Sequence, residues 1–175
     1  MRKLTILIIL VATAAVALPQ QMQMPAPKTS GPHSDAQTAF EKMKTLTGSW
    51  EGTVMRIPIN FTIRAASSGT AILHEGNTEK GPPNHEITMF YVEGDRLLAT
   101  HYCDAGNRSN MEGKMSADGT SVEFNFLDVA SSTKGGLVKR MMFKMIDANK
   151  HVVEFTFIMP NGRPVELHGE FQRAK

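Results

Sequence analysis

The sequence predicts an all-β fold, a roughly ten-stranded antiparallel up-and-down β-barrel with a short N-terminal capping helix. Three observations carry this. Turn signals recur at near-regular intervals from Ser67 onward: Ser67-Ser68-Gly69, Gly81-Pro82-Pro83, Gly94-Asp95, Asp118-Gly119, Asp147-Ala148-Asn149 and Pro160-Asn161-Gly162. The runs between them are short and strand-like, which suits a barrel or a sandwich. Helical periodicity is confined to one place, where Phe40, Met43 and Leu46 fall on one face between Ser34 and about Leu46. No repeat of propeller or solenoid length stands out.

Ahead of that helix the chain changes character twice. Met1-Arg2-Lys3 is followed by an apolar run of about 14 residues, Leu4 to Ala17, ending in Ala-Val-Ala. This is the pattern of a signal peptide over residues 1–17, cut before Leu18, and it is too short for a membrane span. It implies an exported protein, periplasmic or secreted, with no stable membrane insertion after cleavage. Residues 18–33 are rich in Pro, Gln and Met and read as a flexible tether. Residues 34–175 then form one domain. The whole chain has 19 basic and 17 acidic residues, and the excess is Arg2 and Lys3 in the leader. The mature chain is therefore formally neutral, and nucleic acid is not an expected partner. Cys103 is the only cysteine, so no internal disulfide is available and the core must supply the stability.

The helix leads into Thr47-Gly48-Ser49-Trp50-Glu51-Gly52, with the chain's only Trp at the start of the first strand. Helix and Trp50 together are expected to close one end of the barrel. The hairpins then set register. A two-residue type I′ loop at Asp118-Gly119 places Met115 opposite Val122, Gly113 opposite Phe124 and Met111 opposite Phe126. A three-residue loop over Pro160-Asn161-Gly162, with Gly162 left-handed, sets Phe157 against Val165, Phe155 against Leu167 and Val153 against Gly169. A similar loop at Asp147-Ala148-Asn149, with Asn149 left-handed, brings Met141, Phe143 and Met145 to the same interior. Slipping any of these by one residue would invert the faces. The resulting interior is rich in Met and Phe, which pack adaptably around varied apolar partners.

Gly94-Asp95 as a type II′ loop pairs Thr88 with His101 and aligns Glu86 with Cys103, gathering Glu86, Thr88, His101 and Cys103 on one face. That face is expected to be internal. A carboxyl, a hydroxyl, an imidazole and a thiol on an apolar wall fit polar anchoring of a small ligand. They also fit a Cys103–His101 nucleophile pair, although strand neighbours two apart start roughly 6.5 Å from one another. A metal site and a satisfied core network are the remaining readings. Arg108, in the loop that follows, offers a bidentate hold for a ligand carboxylate. The candidate ligand-binding set is Glu86, Thr88, His101, Cys103, Arg108, Met111, Phe126, Phe143 and Phe155. No residue is assigned as catalytic or metal-binding and no cofactor is assigned. The expected partner is a small apolar or amphipathic molecule. His74 and His85 read as flanks of a loop, and His151 as lying near a turn.

The Gly-x-Trp opening resembles that of the lipocalin and fatty-acid-binding barrels, the calycin group. His85-Glu86 through Tyr91, Asp95-Arg96-Leu97 and Thr100-His101-Tyr102-Cys103-Asp104-Ala105-Gly106-Asn107 resemble a bacterial calycin-like family of unknown function, from about Ala36 to Arg173. The resemblance implies a barrel with an internal cavity and brings no reaction with it. More distantly, the opening is similar to that of nitrobindin-type haem barrels, which imply an iron-ligating His near the C-terminus. Only His168 stands there, and the register places it outside, between Glu166 and Glu170.

Overall fold

A computed structural model describes residues 34–77 and 85–175. The signal-peptide and tether segments lie outside the described residues. The architecture is a closed ten-stranded antiparallel barrel in simple up-and-down order, sealed by pairing of the first strand with the last. Closure gives every strand two neighbours, although β7 leaves β8 beyond Asn125.

Helix α1 spans Asp35–Lys44. The Ser34 hydroxyl accepts from the Gln37 amide at 3.1 Å and caps its start, while Asp35 and Lys42/Lys44 match the helix dipole at either end. Ala36, Ala39, Phe40 and Met43 are buried. The strands are β1 Gly48–Val54, β2 Ile57–Ala66, β3 Ala71–Asn77, β4 Ile87–Glu93, β5 Arg96–Tyr102, β6 Arg108–Met115, β7 Ser121–Ala130, β8 Leu137–Met145, β9 Lys150–Ile158 and β10 Pro164–Arg173. The helix lies across one end and packs on β4, β5 and β6. This is the closed end. Trp50 is 1% exposed there, and its indole N–H donates to the Leu46 carbonyl at 2.7 Å. Arg173 clasps the same end. Its guanidinium donates to Thr47 O at 2.7 Å and Ala148 O at 3.0 Å and lies 4.4 Å above the Trp50 ring.

The expected registers are observed. Met115 pairs with Val122, Met111 with Phe126, Phe157 with Val165, Phe143 with Val153 and Thr88 with His101. Two loop geometries differ from expectation. The β6–β7 loop is built on a type I turn, with the Gly119 amide donating to Ser116 O at 2.9 Å and Gly119 alone left-handed. The type I′ loop is thus replaced by a four-residue loop of the same parity, and the register survives. The β8–β9 loop does span three residues, but Asn149 is not left-handed. Its amide donates instead to the Asp147 carboxylate at 2.7 Å, closing an Asx turn that needs no positive φ.

Packing inside is tight at the closed half. Phe90, Phe124, Phe143, Met111 and Met141 are essentially unexposed and their rings meet at tilted or edge-to-face angles. Gly113 faces inward and lets the Phe124 ring cross it; a Cβ there would meet that ring at 2.6 Å and Leu97 at 2.9 Å.

Candidate functional site

The inward faces of β1–β5, β9 and β10 do not fill the other half completely. A cavity of about 70 Å³ remains, lined by Val54, Ile59, Phe61, His74, Gly76, Glu86, Thr88, His101, Val153, Phe155 and Phe171. It lies toward the open end of the barrel, where the 55–56, 103–107 and 159–163 connections sit. Two larger hollows, about 460 and 550 Å³, are open surface grooves, one outside β1–β3 and one beside α1. Neither gathers a buried set of reactive groups.

The polar patch of the cavity is built by β4 and β5. The β4–β5 loop has Gly94 as its only left-handed residue, which fits a type II′ turn and fixes Thr88 opposite His101. Thr88 Oγ1 lies 2.9 Å from His101 Nδ1, both residues being buried. Past the end of the ladder the Cys103 thiol donates to Glu86 Oε1 at 3.3 Å, and the Ala105 amide donates to Cys103 Sγ at 3.5 Å. His101 Nε2 stands 4.0 Å from Glu86 Oε1, too far for a hydrogen bond, and is without a hydrogen-bond partner among the described residues. The following loop is held by Asn107, whose buried side chain donates to Gly136 O at 2.6 Å and ties the 103–107 and 131–136 loops together.

Burial dominates the electrostatics. It pushes the Cys103 thiol up to about 12, against the Ala105 amide, with the Glu86 carboxyl adding to the rise. It lowers His101 below its ordinary value despite the opposing pull of Glu86 and Asp104. At neutral pH the pair is therefore an uncharged thiol beside an uncharged imidazole. The thiol proton is engaged by a carboxyl and not by His101, which is the reverse of an activated nucleophile. His74 is lowered to about 3 by burial and by the nearby His101 and His151.

The candidate residues divide by position. Glu86, Thr88, His101 and Phe155 line the cavity, and Cys103 sits against Glu86. Met111 and Phe143 face inward but belong to the packed half, where neighbouring rings leave no space. Phe126 is half-buried beneath Lys139 Nζ, 3.3 Å from its ring centre, beside the bulge in β8. Arg108 is not brought to the cavity. It opens β6 on the outer face, exposed, between Tyr102 and Ala130, so it cannot hold a guest's carboxylate inside.

Two histidines face inward, which their readings as a loop flank and a turn neighbour did not state. His74 is not a loop residue: it faces inward from β3, 4.5 Å from the Phe61 ring. Its alternation with Ile72 was the available signal. His151 is fully buried at the closed end, edge-on to Trp50 at 4.1 Å and stacked on Phe171. His85 is exposed. His168 is outside, as its register requires, with Nδ1 3.7 Å from Glu154. A haem does not fit: His168 faces solvent, and a macrocycle needs several times the open volume.

These features define a closed up-and-down β-barrel with, among the described residues, a small cavity toward its open end. No protein-family model matches the chain, and no curated protein matches it. Two solved structures are similar in fold. Rv2717c from M. tuberculosis superposes with a TM-score of 0.57 at 14% identity, over 78% of this chain and 98% of that one. A protein of unknown function from the DUF3598 family of Nostoc punctiforme gives a TM-score of 0.50 at 12% identity, over 75% of this chain and 49% of the other. At such identities the likeness is one of fold.

Proposed function

We propose that the chain is an exported barrel that binds a small amphipathic molecule in the open-end cavity, with its polar group on Glu86, Thr88 and His101. The observation that carries this is the patch of hydroxyl, imidazole and carboxyl groups on an otherwise aromatic and aliphatic wall, the usual make-up of a small-molecule site. Size and charge narrow the guest. An apolar cavity of about 150 Å³ accepts benzene, so 70 Å³ suits a guest of a few heavy atoms, or the tip of a larger one. Among the described residues no lysine or arginine lines the space. A carboxylate would meet the carboxyl of Glu86, whereas an alcohol or amine finds acceptors in Glu86, Thr88 and His101. Short alcohols and amines are favoured over fatty acids.

The test is a titration of ¹⁵N-labelled protein with alcohols, amines and carboxylic acids of two to ten carbons, followed by amide shifts. Shifts confined to Gly76, Thr88, His101 and Val153, strongest for short alcohols or amines and lost in Val153→Phe, are expected. Shifts only along the outer grooves, or a preference for long carboxylates, would refute the reading. Export rests on Leu4 to Ala17. It is checked by the mass of the protein recovered outside the cytoplasm, which should begin at Leu18.

A further inference from the structure

We infer that Glu86, His101 and Cys103 form a three-ligand site for a divalent transition metal of the zinc type, with its fourth position facing the cavity. One ligand atom from each of the three residues lies within 4.8 Å of the other two. A tetrahedral ion with bonds of about 2.0–2.3 Å holds its ligand atoms roughly 3.3–3.7 Å apart. The Cys103 Sγ–Glu86 Oε1 separation of 3.3 Å already meets this, and the His101 Nε2–Glu86 Oε1 separation of 4.0 Å closes with a small side-chain rotation.

A second observation is independent of the cluster. His101 is 2% exposed, and its Nε2 faces this point with no hydrogen-bond partner among the described residues. A buried imidazole nitrogen left unpaired costs free energy. Coordination satisfies it.

The surroundings have the form that supports metal ligands. Thr88 Oγ1 at 2.9 Å receives the Nδ1–H of the metal-binding tautomer and leaves the Nε2 lone pair for the ion. The Ala105 amide donates to Cys103 Sγ and stabilises the thiolate. Thiolate, imidazole and carboxylate together select a borderline ion over Mg²⁺ or Ca²⁺, and three protein ligands leave an open coordination position. Binding releases the thiol proton to solvent and involves no change of oxidation state.

The site shares the cavity with the proposed ligand but does not depend on it. The experiment titrates Co²⁺, a spectroscopic substitute for Zn²⁺, into full-length reduced protein. One Co²⁺ per chain is expected, with a near-ultraviolet thiolate-to-cobalt band and visible bands of tetrahedral intensity. Zn²⁺ should displace it. Cys103→Ser should abolish the ultraviolet band, Glu86→Gln should weaken binding at least about tenfold, and Thr88→Val should weaken it about 10–100-fold. His168→Ala should bind as wild type. Thermal melts establish that each variant is folded, and half-buried Glu86 keeps the test decisive where His101→Ala unfolds. No thiolate band at one equivalent, or a band whose affinity is unchanged in both Glu86→Gln and Thr88→Val, overturns the site. Either failure leaves the alcohol titration untouched, and failure of that titration leaves the cobalt result standing.

Discussion

The two ends of the barrel each bury a histidine, and they use it differently. At the closed end His151 is packed among Trp50, Phe61 and Phe171, with neither ring nitrogen hydrogen-bonded among the described residues. Trp50 and the Arg173 clasp close over this end, and no second reactive side chain converges on the ring among the described residues. At the open end His101 has one nitrogen held by Thr88 and the other turned toward Glu86 and Cys103 at the edge of a cavity. A buried imidazole without a partner is therefore not a site in itself. Space beside it, and groups converging on that space, make the difference.

The largest expected effect is at the closed end. Trp50→Ala removes a fully buried ring and orphans the Leu46 carbonyl, so urea unfolding should show a loss of about 3–5 kcal/mol. Phe155→Ala, half-buried at the cavity, should cost less than half of that and admit larger guests. Equal losses would erase the distinction between a plug and a lining.

Acid should next weaken the fold through its buried histidines. His151 is lowered to about 4 by burial and then by Arg173, and His74 to about 3. The unfolded chain takes up these protons first, near pH 6.5, so stability is full above that value and falls as pH drops toward 4. The slope is about 1.4 kcal/mol per pH unit for each group. His151→Phe should flatten this limb between pH 6.5 and 4, as read from urea midpoints. An unchanged limb would mean that His151 is not buried neutral.

Cys103 sharpens the comparison from the open end. With its thiol raised to about 12, alkylation by iodoacetamide at pH 8 should run at least about 100-fold slower than for free cysteine. His101→Ala should not slow it further. Fast alkylation that depends on His101 would restore the nucleophile reading. The smallest effect belongs to the outer wall: His168→Ala should leave stability, guest binding and cobalt binding unchanged.

Much of this was legible because loop parity sets register. The loops at 94–95, 117–120, 147–149 and 160–162 each fix a strand pair, and alternation marks the inner face of the last three, while both faces of the β4–β5 pair are partly apolar. Parity tolerated two wrong turn geometries because the position about which a loop is centred, not its turn type, determines which side chains meet. The β1–β2 turn was not legible. Met55 and Arg56 both take left-handed φ, 50° and 68°, and neither residue type signals a turn. The bulges at Asn110/Met111 and Val138/Arg140 were also invisible, since an extra residue leaves no mark on hydrophobic alternation. How much of the interior is filled depends on how the rings of Phe61, Phe143, Phe155 and Phe171 pack, and no sequence pattern encodes that. The register along β4 and β5 therefore reads correctly, while Met111 and Phe143 belong to the packed core.

The central claim is that the open half holds a real void beside His101. Diffraction from crystals pressurised with xenon tests it directly. A xenon atom among Val54, Ile59, Phe61, Val153 and Phe155, absent in Val153→Phe, is the expected result. Xenon only in the outer grooves, with the inward side chains closed over that space, would contradict it.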